Sequence, residues 1–432
     1  MTSAATNRIE EVVLASWARD LVRSPMQEAL AATTNNGIIS FALGLPAPEF
    51  FPATDFAAAA ERVLANDPKA LQYSPQFEPL QEQVVQLMRA RGVSCSVKNV
   101  FLTAGAQQGM SLLASLLLEP GSSVVTEELI YPGFRQVLEP FRPRILTVPT
   151  DLETGMDVDG VARILSSGVR PAFIYAITEG HNPLSVSLHP AKRARLVELA
   201  ERYGVPIIED DAYGFICYAT MGPPLRALSE RWVFYVGSFS KILAPALRAG
   251  WVVAPEHLIL PLSVAKESAD IDTRTFAQRI ISEYLNTGRL ASHVERLRKE
   301  YQLRRDTMLR LLTETFPDRA TWRAPTSGFF VWVDLAGVID IDEVFTQAVE
   351  SEKVAFIPGY LFSSNGTIEG HRNLGTVSAP GAVAAGSQQP NLSVPGAVAT
   401  GSKRPSMRLN FSHSTPAQIQ EGIPRLARLL KE

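Results

Sequence analysis

A chain of 432 residues that is 46% apolar and 20% charged, with a formal net charge of −3, has apolar mass enough for two or three domains and no excess charge to attract nucleic acid or an anionic membrane. Its 2 cysteines are too few for a disulfide framework and its 6 histidines show no ligand spacing, so no metal site is expected. The opening MTSAATNRIEEVV is acidic and lacks an apolar signal core, and the longest apolar stretch, near Met110 to Leu118, falls far short of a membrane span, so a cytoplasmic protein is expected.

In chain order, Ser16 to Leu30 reads as a helix, with Ser24 and Pro25 opening its second half and Gln27 in the capping-box position. GIISFALGLPAPEFFP, Gly37 to Pro52, is a short apolar strand that runs into a Gly/Pro-rich connection, which taken alone is a linker. FLTAGAQQGM, Phe101 to Met110, is a strand that turns into a helix at a glycine. The first N–H groups of that helix lack partners, so Gly105, Ala106 and Gln107 can hold an anion, although a glycine at such a turn also serves backbone freedom alone. Two further apolar runs end in polar groups: AFIYAIT leads to Glu179, His181 and Asn182, and VPIIEDDAY carries Asp210 and Tyr213. Apolar runs alternating with helical patterns such as Ala191 to Tyr203 indicate a sheet buried on both faces, which binds ligands at the carboxyl ends of its strands.

The third such run, WVFYVGSFSKILAPALR from Trp232 to Arg248, is a strand broken at Gly237 and followed, after Lys241, by a helix-like stretch. A lysine at a strand end, desolvated and near a cation such as Arg248, loses proton affinity and can form a Schiff base with an aldehyde. Ser238, Ser240 and Arg248 also make an anion-binding loop, and an aldehyde that carries a phosphate is pyridoxal 5′-phosphate. A solvated Ser/Lys turn is the alternative for this loop. Asp210, acceptor-only when ionised, would hold a proton on the pyridine nitrogen, while Asn182 and Tyr213 can donate to the phenolate oxygen; an aspartate in EDD can equally cap a helix.

The series Asn182, Asp210-x-x-Tyr213, Ser238-x-x-Lys241 and Arg248, with GSFSKILAPALR throughout, resembles the fold-type-I class I/II aminotransferases, and GIISFALGLPAPEFFP and LQYSPQFEPL resemble their aminoadipate and kynurenine branch. The resemblance covers nearly the whole chain. It implies an α/β fold, with a large domain built on a mostly parallel seven-stranded sheet and a smaller α+β domain: residues 1–50 as N-terminal arm and part of the small domain, 51–289 as the cofactor domain, and 290–432 as the rest of the small domain. It also implies a homodimer in which Tyr73 reaches the phosphate of the other subunit, Tyr131 lying on the pyridine ring, Gly44 allowing backbone to approach substrate, and Arg408 in PSMRLNFS taking the substrate α-carboxylate. Tyr131 suits a core position equally well. The chain departs from the family in a shorter segment after Tyr73, in Ala106 where a hydroxyl is usual, in His181-Asn182-Pro183-Leu184-Ser185 for QNPTG, and in Gln27 where an arginine usually stands.

The activity implied is amino transfer from an L-α-amino acid to a 2-oxo acid, with Lys241 forming the internal aldimine and carrying the Cα proton. A non-transaminating pyridoxal-phosphate enzyme of a specialised biosynthetic pathway, or an effector-binding regulatory module, are the alternatives; the chain shows no basic helix-turn-helix for the latter. Gln27 as helix cap or substrate contact, and His181 as acid–base group or polar filler, both remain open. With Glu179, His181 and Gln27 at one mouth, a neutral or cationic polar substrate side chain is expected, and dicarboxylic amino acids are expected to be poor substrates. Between the last strands, at about 363–406, lies an insertion with two 15-residue copies, APGAVAAGSQQP and VPGAVATGSKRP, which reads as a flexible loop. Replacing Thr376 to Pro405 by a short Gly/Ser link is expected to leave folding and cofactor binding intact, because long loops add little closure entropy; loss of soluble protein on expression would show that the copies pack.

Overall fold

The computed structural model describes residues 12–19, 37–271, 274–316, 318, 320–364 and 404–430. Of the helix expected from Ser16 to Leu30, Ser16–Arg19 is helical; Gln27 and nearly all of the repeat insertion lie outside the described residues. The apolar runs become strands Ile39–Ser40 (β1), Val100–Thr103 (β2), Phe173–Ile177 (β5), Ile207–Asp210 (β6) and Val233–Ser238 (β7), and three further strands, Ser123–Glu127 (β3), Arg144–Val148 (β4) and Gly250–Val253 (β8), join them. Seven of them form one sheet in the order β2-β8-β7-β6-β5-β3-β4. Every residue of these strands except those of edge strand β4 is buried, which is why the runs are continuously apolar rather than alternating.

The sheet is parallel apart from β8, which runs antiparallel to both neighbours, with Gly250 opposite Ser238 on one side and Thr103 on the other. The beginning of β8 therefore lies at the carboxyl edge of the rest, and Arg248, two residues before it, joins the residues that follow β2, β5, β6 and β7. Helices Ala106–Leu117 (α1), Pro132–Leu138 (α2) and Pro190–Tyr203 (α3) bury their apolar sides, α1 and α2 in the cluster around Phe134 and Tyr175 and α3 in the cluster around Ile174 and Ile207.

A second, antiparallel sheet is built from Ala320–Trp322 (β9), Phe330–Leu335 (β10), Ile357–Pro358 (β12) and Ser406–Asn410 (β13), in the order β9-β10-β13-β12. Beside it, Val354–Ala355 (β11) pairs with β1, so the segment that opens the described fold is bound to the last third of the chain. Asn410 N–H donating to Phe41 O at 2.7 Å fastens it further. The long helix Leu290–Thr315 (α4) packs on Pro416–Arg428 (α5).

Two local expectations change. Gly237 does not end β7 but lies within it, opposite Trp251; a Cβ there would stand 2.3 Å from the indole, so glycine is what admits this ring. The helix expected after Lys241 is a single 3₁₀ turn, Pro245–Leu247. Pro245 holds the preceding Ala244 extended, at φ −156° and ψ 137°, which excludes a helix there. On α4, Arg304 is buried and donates to Ser412 O at 2.6 Å and to Glu49, tying this helix to the small sheet and to the N-terminal connection.

Candidate active site

The residues gathered at the carboxyl edge enclose a cavity of about 330 Å³, into which Lys241, Asp210, Asn182, Tyr213, Tyr131, Ser238, Ser240, Arg248, Ala106, Gln107, Gly44 and Arg408 all face. At one end α1 begins with no side-chain cap, so its first N–H groups are open to an anion. Gly105, its N-cap, has φ +90°, and a Cβ there would come within 2.8 Å of the Arg248 guanidinium. Glycine thus allows Arg248 to lie against the turn, where it donates to Ala104 O at 2.9 Å. Ser240 N–H donates to Ser238 Oγ at 3.1 Å, closing the second side of an anion cradle. Gln107 gives its amide to Gly133 O at 2.6 Å, which leaves its backbone to the cradle.

At the opposite end Asp210 is buried. Its Oδ2 accepts from Tyr175 Oη at 2.7 Å, and its Oδ1 has no hydrogen-bond partner among the described residues. Burial pushes this carboxyl up to about 6, against the Tyr175 hydrogen bond. A buried carboxylate oxygen without a donor is the complement of a ring N–H⁺. Tyr213 is held by edge-on contacts with Phe329 and Phe330, at 5.3 and 5.9 Å, and burial keeps its phenol protonated.

Lys241 lies between the two ends, donating from Nζ to Gly44 O at 2.7 Å. Burial first, and then repulsion from Arg408 and Arg248, lowers the lysine from 10.5 to about 8. The neutral amine is therefore expected to appear at far lower pH than on a surface lysine. Reductive methylation of cofactor-free protein, followed residue by residue with peptide mass spectrometry, should show Lys241 half-reactive near pH 8; a midpoint at or above 10 would contradict this.

Arg408, on β13, donates to Asn182 Oδ1 at 2.7 Å and to Ala42 O, and its guanidinium lies 4.0 Å from the Phe330 ring centre and 4.7 Å from that of Phe362. Burial lowers it to about 10, so it remains a cation at neutral pH, with its Nε unpartnered among the described residues. An incoming carboxylate would supply the missing charge.

Two expected residues sit elsewhere. His181 is buried with Nε2 3.0 Å from Glu127, and Glu179 is paired with Arg193 at 2.6 Å; neither faces the cavity. The turn carrying them doubles back, with His181 N–H donating to Val186 O, and directs both under the loop while Asn182 points outward to Arg408. Tyr73 is 76% exposed and does not line this chain's own cavity. Sequence reasoning passed over Tyr175, whose sole signal was a hydroxyl inside the apolar run AFIYAIT, and over Leu43, Leu45, Met110, Ile357 and Phe362, which complete the cavity wall.

One cavity at the carboxyl edge of a fold-type-I sheet thus presents an anion cradle, an amine and a carboxylate oxygen without a partner among the described residues, the three groups that the phosphate, aldehyde and ring nitrogen of pyridoxal 5′-phosphate require. The fold and the site define a pyridoxal-phosphate enzyme. The family model for aminotransferase class I and II matches residues 39–371, and the chain belongs to that family. It is 34% identical over 421 residues to aromatic-amino-acid aminotransferase 1 of Thermococcus litoralis, covering 95% of this chain and 92% of that one. Among solved structures it resembles the multiple substrate aminotransferase of Thermococcus profundus (32% identity, 97% of each chain, TM-score 0.83). It likewise resembles the α-aminoadipate aminotransferase of Thermus thermophilus complexed with N-(5′-phosphopyridoxyl)-L-leucine (32% identity, 97% of each chain, TM-score 0.82). The protein is a pyridoxal-phosphate-dependent aminotransferase.

Proposed function

We propose that the chain transfers the amino group of an uncharged, largely apolar L-α-amino acid, with Lys241 as the residue that joins the cofactor and carries the proton. One observation supports this above all: a single cavity presents the Lys241 amine, the free oxygen of Asp210 and an Arg408 guanidinium without a carboxylate partner among the described residues. When bound, pyridoxal phosphate supplies an aldehyde for the lysine and, through its ring, a sink for the electron pair left at the substrate α-carbon. The chain's own groups do the rest. The α1 N-terminus, Ser238, Ser240 and Arg248 hold the phosphate. Asp210 would keep the ring nitrogen protonated, Asn182 and Tyr213 would donate to the phenolate oxygen, and Tyr131 would cover the ring. Arg408 would orient the substrate by its α-carboxylate. Lys241 would take the proton from the substrate Cα as general base and give it back as general acid.

The side-chain preference follows from what is left of the wall. Once Lys241, Arg248 and Arg408 have these tasks, no cation among the described lining residues remains for a second carboxylate, and Leu43, Leu45, Ile357 and Phe362 present carbon. With Glu179 and His181 turned away, the polar preference expected from sequence gives way to an apolar one. Single-turnover absorbance changes with leucine, methionine, phenylalanine, glutamate and 2-aminoadipate should be at least about tenfold faster for the first three than for the dicarboxylates. Faster reaction of glutamate or aminoadipate would overturn this preference, and release of ammonia without a pyridoxamine form would overturn transamination.

We also assign residues 51–289 to a cofactor-binding domain and 1–50 with 290–432 to a small domain, in keeping with the two separate sheets. A homodimer is supported by exposed Leu71, Tyr73, Leu260, Val264 and Ile271, from which Tyr73 can reach the phosphate bound by a second copy.

A further inference from the structure

We propose that Tyr175 is a positioning residue of this enzyme, which holds the Asp210 carboxylate so that one oxygen is free to face the cofactor ring. The inference rests on the assignment of Asp210 to the ring nitrogen. Tyr175 lies within β5, and Asp210 at the end of β6 is in register with Ile177, two residues further along β5 and hence on the same face of the sheet. That diagonal brings Tyr175 Oη to within 2.7 Å of Asp210 Oδ2. The phenol cannot wander, because its ring is stacked on Phe134 at 3.6 Å between centres and 5° between planes, and the residue is 1% exposed. Toward ionised Asp210 the phenol can act only as donor, since Tyr175, fully desolvated next to a carboxylate, keeps its proton well above the ordinary range.

The consequence is directional. A carboxylate has two equivalent oxygens and rotates about its last torsion; a donor fixed on one oxygen stops that rotation and leaves the other for the ring. The same bond stabilises the ionised form against burial, and against adjacent Asp211, whose charge favours protonation; the Ala212 backbone N–H and Lys241 across the cavity act in the same sense as Tyr175. Without the hydroxyl, Asp210 should bind a proton more tightly and should pair less firmly with the ring.

The test is a double-mutant cycle on cofactor affinity, measured by titrating cofactor-free protein with pyridoxal 5′-phosphate and following tyrosine and tryptophan fluorescence. Tyr175→Phe keeps the stacked ring and removes one oxygen. It should weaken binding about tenfold in the wild-type background and less than about threefold in an Asp210→Asn background, because a hydrogen bond to a charged acceptor is worth more than one to a neutral amide. In parallel, the Asp210 carboxyl band, isolated by infrared difference against Asp210→Asn, should titrate at higher pH in Tyr175→Phe than in the cofactor-free wild type. Equal loss of affinity in both backgrounds, or an unmoved carboxyl titration, would overturn the positioning role. Failure of the wild-type protein to bind pyridoxal 5′-phosphate would instead overturn the functional assignment on which it rests. Should Tyr175→Phe be insoluble, Phe134→Leu, which leaves the hydroxyl but removes the ring that clamps it, is expected to give the same coupling with Asp210→Asn; absence of coupling there would also overturn the role.

Discussion

Lys241→Ala should bind pyridoxal 5′-phosphate, lack any bond to it that borohydride can reduce, and lose proton transfer at the substrate α-carbon by about two to four orders of magnitude. The two halves of this result have separate causes. Retention follows from the anion cradle, which is made by the start of α1, Ser238, Ser240 and Arg248 and owes nothing to the lysine side chain. Loss of the bond and of exchange follows because, among the described residues facing the cavity, no other lysine is present and the remaining titratable groups have fixed partners or remain protonated phenols. The checks are mass spectrometry after borohydride treatment and Cα–H exchange followed by proton NMR. A reducible adduct on another residue of the variant would remove Lys241 from its role.

Asp210→Asn is the second large effect. On the proposed assignment, the Oδ1 of the buried Asp210 carboxylate, without a partner among the described residues, would meet the ring cation of bound cofactor, and an amide would leave that cation alone in a dry site. Breaking a buried pair costs about 3–5 kcal/mol, so Cα proton exchange should fall by roughly two to four orders of magnitude, while the reducible bond to Lys241 persists. The direction can be checked against pH. Asp210 in the cofactor-free chain ionises near 6, so cofactor binding should weaken below that pH in the wild type and lose this dependence in the variant. Exchange at the wild-type rate would contradict the pairing.

These groups were legible in the sequence because each ends an apolar run. Asp210 ends β6, Asn182 and Lys241 follow β5 and β7, and parallel strands buried on both faces leave their carboxyl ends as the place where polar side chains can stand. Arg248 was legible as a cation near the lysine, but its place beside α1 depends on the reversed direction of β8, which local pattern does not disclose. Tyr175 was hidden for a related reason: its partner is chosen by strand register, a relation between residues 35 apart. His181 and Glu179 misled because nearness to Asn182 along the chain was taken as nearness in space. A turn of a few residues, closed by His181 N–H to Val186 O, sends neighbouring side chains to opposite sides. In the small sheet, the break of VAFIPGYLF into β11 and β12 at Phe356 leaves no local signal, since the run is uniformly apolar and only the two different partners, β1 and β13, divide it.

The unpartnered oxygen of Asp210 and the lone cation of Arg408 have a consequence for the life of the chain before it meets its ligands. Asp210, with its pKa raised, disfavours the folded state as pH rises through about 6, and Lys241, with its pKa lowered, disfavours it fully below about 8 and progressively less from there up to 10.5. In the interval between, the empty fold carries three desolvated charges that attract one another only partly. Bound cofactor would therefore hold the fold together as well as serve the chemistry, because a ligand at a hundred times its dissociation constant adds about 2.7 kcal/mol to the folded side. The cofactor-free chain is expected to open more often, and so to be cut faster by an added protease, than the loaded one.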